Sequence, residues 1–77
     1  MLKTDEILFL KATGNNIRQL RKSLNLSQES LSFDADIPRN QIGRIERGEI
    51  NTSVITLMKI AKALKVNTHD LLKINLP

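Results

Sequence analysis

The stretch from Ser27 to Gly48 constrains the fold of this chain more than any other feature. Ser27 is suited to begin a helix, because its hydroxyl can accept a hydrogen bond from a free amide of the first turn. Pro38 interrupts that helix and can begin the next, since proline disfavours α geometry in the preceding residue but is tolerated at a helix start. Gly48 can adopt the left-handed conformation that ends a helix. The pattern predicts two short helices joined by a tight turn, over about 28–35 and about 38–47.

The second of these helices has two different faces. Ile42 and Ile45 lie three residues apart on its inner face. The other face carries four side chains able to read bases: Arg39, Asn40, Gln41 and Arg44. Arginine can bridge two acceptors on guanine, and asparagine or glutamine can do the same on adenine. Composition alone leaves two interpretations open, a reader of the DNA major groove or an ordinary solvated surface.

Residues on both sides of this stretch extend the pattern. They are Ile17, Leu20 and Arg21, the run LNLSQESL at 24–31, Ile37 and Ile42, RIERG at 44–48, and LMKIAKAL at 57–64. From Ile17 to Leu72 the chain resembles the helix-turn-helix family of phage-repressor and Cro-type (XRE-like) regulators. In its size and its RIERG region it is similar to the controller proteins of restriction–modification systems. The resemblance implies an all-α, five-helix, lambda-repressor-like domain whose helix near Pro38 lies in the major groove.

The resemblance also implies roles for residues outside the reading face. Gln28 would touch a phosphate at the start of the scaffold helix, and Ser27 would add a second contact there. The loop after the reading helix would place Arg47, Asn51 and Thr52 beside the sugar-phosphate strand. Arg21 and Glu46 would form a partly buried ion pair with a structural role.

Three positions depart from the family pattern. Ser32 replaces an alanine, a small change. Asp36 stands where the turn commonly has glycine, and would be strained if its φ is positive. Gly43 replaces a serine inside the reading helix, where glycine is unfavourable. It either permits a close approach or weakens the helix.

The chain reads as one domain, 1–77, with a helical extension over 1–13 and the DNA-binding domain over 15–73. The sequence of this extension predicts a short extra helix, either separate from the next helix or continuous with it. Gly14 is a plausible break between the two. The next helix would begin at Asn15 or Asn16 and end near Leu24, with Ile17, Leu20 and Leu24 facing inward. On its outer face Arg18 and Lys22 would either touch phosphates or remain solvated. Two more helices would follow, one capped by Ser53 or Thr52 and running to about Lys65, and one beginning at Asn67 or Thr68.

Composition limits the other functions that this chain can have. Its 77 residues contain no cysteine and one histidine, which predicts neither a disulfide nor a metal site. No spacing of side chains indicates catalysis or a cofactor, so we expect no enzyme activity. No apolar run is long enough to cross a membrane, and we expect the protein in the cytoplasm. The net charge of +4 favours an anionic partner.

Three function classes follow from these observations. The first is a sequence-specific transcriptional regulator that binds double-stranded DNA as a homodimer on a palindromic operator. The apolar C-terminal residues, Leu71, Leu72, Ile74 and Leu76, would close the core or form a two-fold dimer surface. The second is the antitoxin of a toxin–antitoxin pair, and the third is a protein–protein coactivator module. The last two would each require a protein partner, a toxin or the transcription machinery.

Overall fold

The fold is entirely helical over residues 2–76, which are the residues that the computed structural model describes. Four α-helices are followed by one short 3-10 helix, and the described residues contain no strand. The predicted all-α class is therefore confirmed. The elements are α1 (Thr4–Ser23), α2 (Gln28–Ala35), α3 (Arg39–Glu46), α4 (Val54–Leu64) and the 3-10 helix (Thr68–Leu72).

The N-terminal extension is not a separate helix, because α1 runs without interruption from Thr4 to Ser23. Gly14, predicted as a break, lies buried inside this helix. A Cβ at this position would overlap the backbone carbonyl oxygens of Ile45 and Glu46. Glycine is therefore present because α1 and α3 cross in close contact there, and not because the chain turns. The number of helices is correspondingly smaller than the sequence predicted.

The turn between α2 and α3 follows the predicted pattern. The Ser27 hydroxyl accepts a hydrogen bond of 2.9 Å from the amide of Ser30, which caps α2. Asp36 ends this helix in the left-handed conformation, with φ of 57° and ψ of 50°. Pro38 lies just before the first residue of α3. The aspartate thus occupies the backbone conformation that glycine adopts at least cost, and short polar side chains tolerate it better than others.

The core lies between α1, α3, α4 and the 3-10 helix, and α2 closes it. Its largest fully buried side chains come from all five elements and are Ile17, Leu31, Ile42, Ile60, Leu64 and Leu71. Each contributes about 1.5–3 kcal/mol relative to an exposed side chain. Leu24, predicted to face inward, is instead 46% exposed because α1 ends at Ser23 and the chain turns away.

The C-terminal segment is shorter and tighter than an α-helix. Leu71 is fully buried while Leu72 and Leu76 remain exposed. Asn16, predicted as a helix cap, instead reaches across the core from α1. Its Nδ2 donates to the carbonyl oxygens of Asp70 at 2.9 Å and Leu71 at 3.0 Å. This contact ties α1 to the 3-10 helix and orients Leu71 inward.

Candidate nucleic-acid interface

Helix α3 presents its polar residues on the side opposite the core. Ile42 and Ile45 are buried, whereas Arg39, Asn40 and Arg44 are exposed. The fourth predicted reading residue, Gln41, is half-buried. The side chains of a helix that lie three and four residues apart share a face. The fold therefore leaves the predicted base-reading residues accessible to a duplex while the isoleucines fix the helix to the protein.

A buried ion pair joins α1 to the end of α3. Arg21 Nε lies 2.8 Å from Glu46 Oε2, and Arg21 Nη2 lies 3.1 Å from Glu46 Oε1. The Arg21 and Glu46 side chains are 9% and 2% exposed. A third guanidinium nitrogen, Nη1, donates to the carbonyl oxygen of Leu26 at 2.7 Å. The bidentate geometry and the third hydrogen bond compensate the cost of burying both charges.

Gln28 also contacts Glu46. Its Nε2 donates to Glu46 Oε1 at 3.0 Å, from the first residue of α2. The carboxylate of Glu46, in the last turn of α3, therefore accepts hydrogen bonds from both α1 and α2. The sequence suggested Gln28 as a phosphate ligand but did not indicate this structural contact.

Beyond α3 a second carboxylate lies among exposed arginines. Arg47 Nε donates to Glu49 Oε2 at 2.7 Å, and Arg44 Nε lies 3.6 Å from Glu49 Oε1. The hydrogen bond from Arg47 lowers the pKa of Glu49, and the same bond raises the pKa of Arg47. Sequence reasoning missed Glu49, although a carboxylate two residues after Arg47 and five after Arg44 offered a signal.

The other predicted phosphate ligands are spread along the surface. Ser27 lies at the exposed start of α2, and Arg18 and Lys22 are exposed on α1. Asn51 is exposed in the loop after α3, and the Thr52 hydroxyl donates to the carbonyl oxygen of Ile50 at 3.3 Å. In the described part of the chain, no side-chain hydrogen bond links Arg18, Lys22 or Asn51 to the cluster around Glu46 and Glu49. These residues are thus available for contacts but are not oriented by one another.

Over residues 2–76, no three or more histidine, aspartate or glutamate side chains are grouped so that they could hold a metal ion. No helix there is long and apolar enough to cross a membrane.

Comparison with known proteins places the chain among bacterial regulators. A helix-turn-helix family model matches residues 17–71. Control protein C.BamHI of Bacillus amyloliquefaciens is 48% identical over 60 residues, which cover 77% of this chain and 74% of that protein. Control protein C.SmaI of Serratia marcescens is 42% identical over 59 residues, covering 77% and 70%.

Similarity extends to the solved structure of a restriction–modification controller protein, C.AhdI of Aeromonas hydrophila. It superposes with a TM-score of 0.80 at 37% identity, covering 80% of this chain and 94% of that chain. The fold, the sequence similarity and the exposed polar face of α3 all indicate the same class of protein. The chain belongs to the helix-turn-helix family and is a DNA-binding transcription regulator.

Proposed function

We propose that this protein is a restriction–modification controller protein that binds a palindromic operator as a homodimer. The observation that carries the proposal is the pairing of two features of α3. Its outer face offers Arg39, Asn40 and Arg44 to solvent, while a buried ion pair fixes its C-terminal end. A helix held in this way can present side chains to base edges at a fixed depth and angle.

In this proposal the residues divide into those that read bases and those that fix the register. Arg39, Asn40, Gln41 and Arg44 read base edges in the major groove. Contacts to the backbone would come from three surfaces: the start of α2 (Ser27 and Gln28), the loop after α3 (Arg47, Asn51 and Thr52) and the outer side of α1 (Arg18 and Lys22). Such contacts set the orientation of the protein and carry no sequence information directly.

An apolar surface on α4 supports the homodimer. Val54 and Ile55 are 74% and 59% exposed, and Met58 is also exposed. Met58 lies four residues after Val54 and three after Ile55, so it shares a helix face with each of them. Adjacent exposed apolar side chains of this kind mark interaction sites. A two-fold axis through this surface would bring two identical patches together and direct two α3 helices to half-sites about 34 Å apart.

In this proposal the protein has no catalytic role, and it acts in the cytoplasm, where the DNA is. Under the same proposal, occupancy of the operator follows the concentration of the protein itself. Dimerisation makes that dependence steeper, since both protein–protein and protein–DNA equilibria respond to the amount of protein.

The test is fluorescence anisotropy on a duplex from the protein's own upstream region and on a scrambled duplex, across a range of salt concentrations. We expect the upstream duplex to bind at least about 10³-fold more tightly, a preference that moderate salt leaves in place. Equal binding to both duplexes, lost together as salt increases, would indicate charge attraction alone. That outcome would contradict the proposal and would favour a protein-binding role.

A further inference from the structure

Glu49 contacts two arginines through one side of each guanidinium. Its Oε2 accepts from Arg47 Nε at 2.7 Å, and its Oε1 lies 3.4 Å from Arg47 Nη2. The same Oε1 lies 3.6 Å from Arg44 Nε. Among the described residues, no side-chain hydrogen bond uses Nη1 or Nη2 of Arg44, or Nη1 of Arg47. The outer ends of both side chains therefore keep donors for another acceptor.

Gly43 provides the space that Arg47 occupies. A Cβ at residue 43 would lie 3.1 Å from Arg47 Nη1, closer than ordinary van der Waals contact, and 3.6 Å from Gln28 Oε1. The guanidinium of Arg47 therefore lies across the surface of α3 near the first residue of α2. Free amides at a helix N-terminus attract phosphate groups. Arg47, whose side chain is 59% exposed, is thus held beside the expected backbone contact.

We propose that Glu49 is a positioning residue for DNA recognition, which holds Arg47 over Gly43 beside Gln28 and restrains Arg44. This inference rests on the proposed function, and it deepens it by adding a residue that touches no DNA. The ligand of Arg47 is a backbone phosphate at the edge of the groove, and the ligand of Arg44 is a base edge within it.

The physical reason for such a contact is entropic. A free arginine side chain loses considerable rotamer freedom when it is fixed against a ligand. An arginine that is already oriented by a carboxylate loses less on binding, provided that its outer nitrogens remain available. The carboxylate also repels the phosphates of every duplex. Loss of its charge would therefore increase affinity for all DNA, whereas loss of its positioning contact would reduce discrimination between sequences.

These two effects are separated by measuring the ratio of operator affinity to scrambled-duplex affinity. We expect Glu49→Gln to lower this ratio by about three- to tenfold, within the range for contacting side chains. The matched control is Glu29→Gln, which neutralises an exposed carboxylate in the first turn of α2 and should leave the ratio unchanged. An unchanged ratio for Glu49→Gln would overturn the proposal.

A double-mutant cycle distinguishes direct positioning from a general charge effect. In the Arg44→Ala, Arg47→Ala background, Glu49→Gln should no longer alter the ratio, because the groups that it positions are absent. If Glu49→Gln lowers the ratio equally with and without these arginines, the effect acts at a distance and the positioning role is wrong.

Gly43→Ala tests the same arrangement without changing any charge. Alanine is preferred over glycine within a helix, and the flexible end of Arg47 can move aside, so we expect Tm to stay the same or rise. Operator affinity should nevertheless fall by about threefold or more, within the range for coupled neighbours. It should fall no further when Gly43→Ala is added to Arg47→Ala. Unchanged operator affinity for Gly43→Ala alone would count against the proposal.

The contact can also be observed without DNA, which separates it from the proposed function. The Nε–H signal of Arg47 in the nitrogen-15 NMR spectrum of the free protein should be protected from exchange, and Glu49→Gln should weaken that protection, because a neutral amide oxygen is a poorer acceptor than a carboxylate. If the wild-type protein fails to distinguish the two duplexes while this signal responds, the proposed function is wrong. If Glu49→Gln leaves the signal unchanged, the positioning contact itself is refuted.

Discussion

Arg21 of α1 and Glu46 of α3 form a bidentate ion pair at 2.8 and 3.1 Å, and Gln28 of α2 donates to the same carboxylate. Three helices therefore converge on one buried anion. These contacts connect the end of the reading helix to both supporting helices. A substitution at Arg21, Gln28 or Glu46 should therefore alter the stability of the domain before it alters base preference.

The first prediction concerns this pair. Arg21→Ala leaves the Glu46 carboxylate buried without its cation, and we expect a loss of about 3–5 kcal/mol in the free energy of unfolding. That is a large share of the stability of a small domain. Thermal and urea unfolding measure it. Arg18→Ala, on the same helix but exposed, is the control and should cost under about 0.5 kcal/mol. Equal losses for the two variants would contradict a structural role for the pair.

The second prediction concerns the crossing of α1 and α3. Gly14→Ala should destabilise the fold by about 1–3 kcal/mol, since the new methyl group meets backbone carbonyl oxygens that cannot rotate away. Intrinsic helix preference alone predicts the opposite sign, a gain of about 0.8–1 kcal/mol. Urea unfolding of Gly14→Ala decides between the two. A variant as stable as the wild type would show that the helices can separate without cost.

The third prediction concerns base reading. Arg39→Ala or Arg44→Ala should each cost about 1–3 kcal/mol in binding to the operator and should relax base preference at one position. Anisotropy on a set of duplexes with single base-pair changes measures this. Gln28→Ala provides the contrast, because it should weaken binding to all sequences alike. If Arg39, Asn40 and Arg44 each became alanine without loss of preference, α3 would not be the reading helix.

A fourth prediction concerns the apolar surface of α4. Ile55→Glu should shift the protein from dimer to monomer in analytical ultracentrifugation, because it places a charge within the proposed two-fold contact. Operator affinity should fall together with dimerisation. Phe33→Glu is the matched control, since Phe33 is an even more exposed apolar side chain, on α2. If both variants keep the wild-type sedimentation, the dimer contact lies elsewhere.

The fifth prediction concerns acid. Asp70 accepts from the amide of Asn67 at 2.9 Å and lies 2.9 Å from Lys73 Nζ. The hydrogen bond from Lys73, then that from Asn67, lowers the pKa of Asp70 below its ordinary value of 3.8. A carboxylate with a lowered pKa in the folded state stabilises that state above its unfolded pKa and ceases to do so as pH falls through the folded pKa.

Protection of the amides in the 3-10 helix should therefore be constant above about pH 5 and should decrease below pH 3.8. Hydrogen exchange across this range measures it. Asp70→Asn should remove the pH dependence, whereas Asp34→Asn, at an exposed position of α2, should preserve it. A decrease that survives in Asp70→Asn would assign the acid sensitivity to another group.

Much of the fold follows from local sequence. Ser27 and Ser53 cap α2 and α4 as their side chains predict. Among the described residues with left-handed geometry, Asn25, Asp36 and Gly48 are of types that tolerate it, and Lys65 is the exception. These features depend on neighbours within four residues. They are therefore visible in the chain before it folds.

The errors arise where distant segments touch. A glycine such as Gly14 is typical of a helix break, and only the close approach of α3 explains why glycine lies inside a continuous helix here. Asn16 is of a residue type that often caps helices, yet its side chain donates to backbone carbonyl oxygens more than fifty residues away. Glu49 pairs across the end of a helix, at spacings that follow no helical period. No local pattern encodes the contacts of Gly14 and Asn16, whereas the arginines that Glu49 contacts lie only two and five residues before it.

The two faces of α3 have a consequence for how such proteins can diversify. Ile42, Ile45 and Glu46 secure the helix, while Arg39, Asn40 and Arg44 take no part in the buried contacts. Because the two sets share no residue, new exposed side chains can be introduced without disturbing the framework. A library restricted to these three positions would retain folded members throughout and could be selected for altered operators. The buried residues of α3 therefore form a constant scaffold, and the exposed surface that contacts DNA can be exchanged on it.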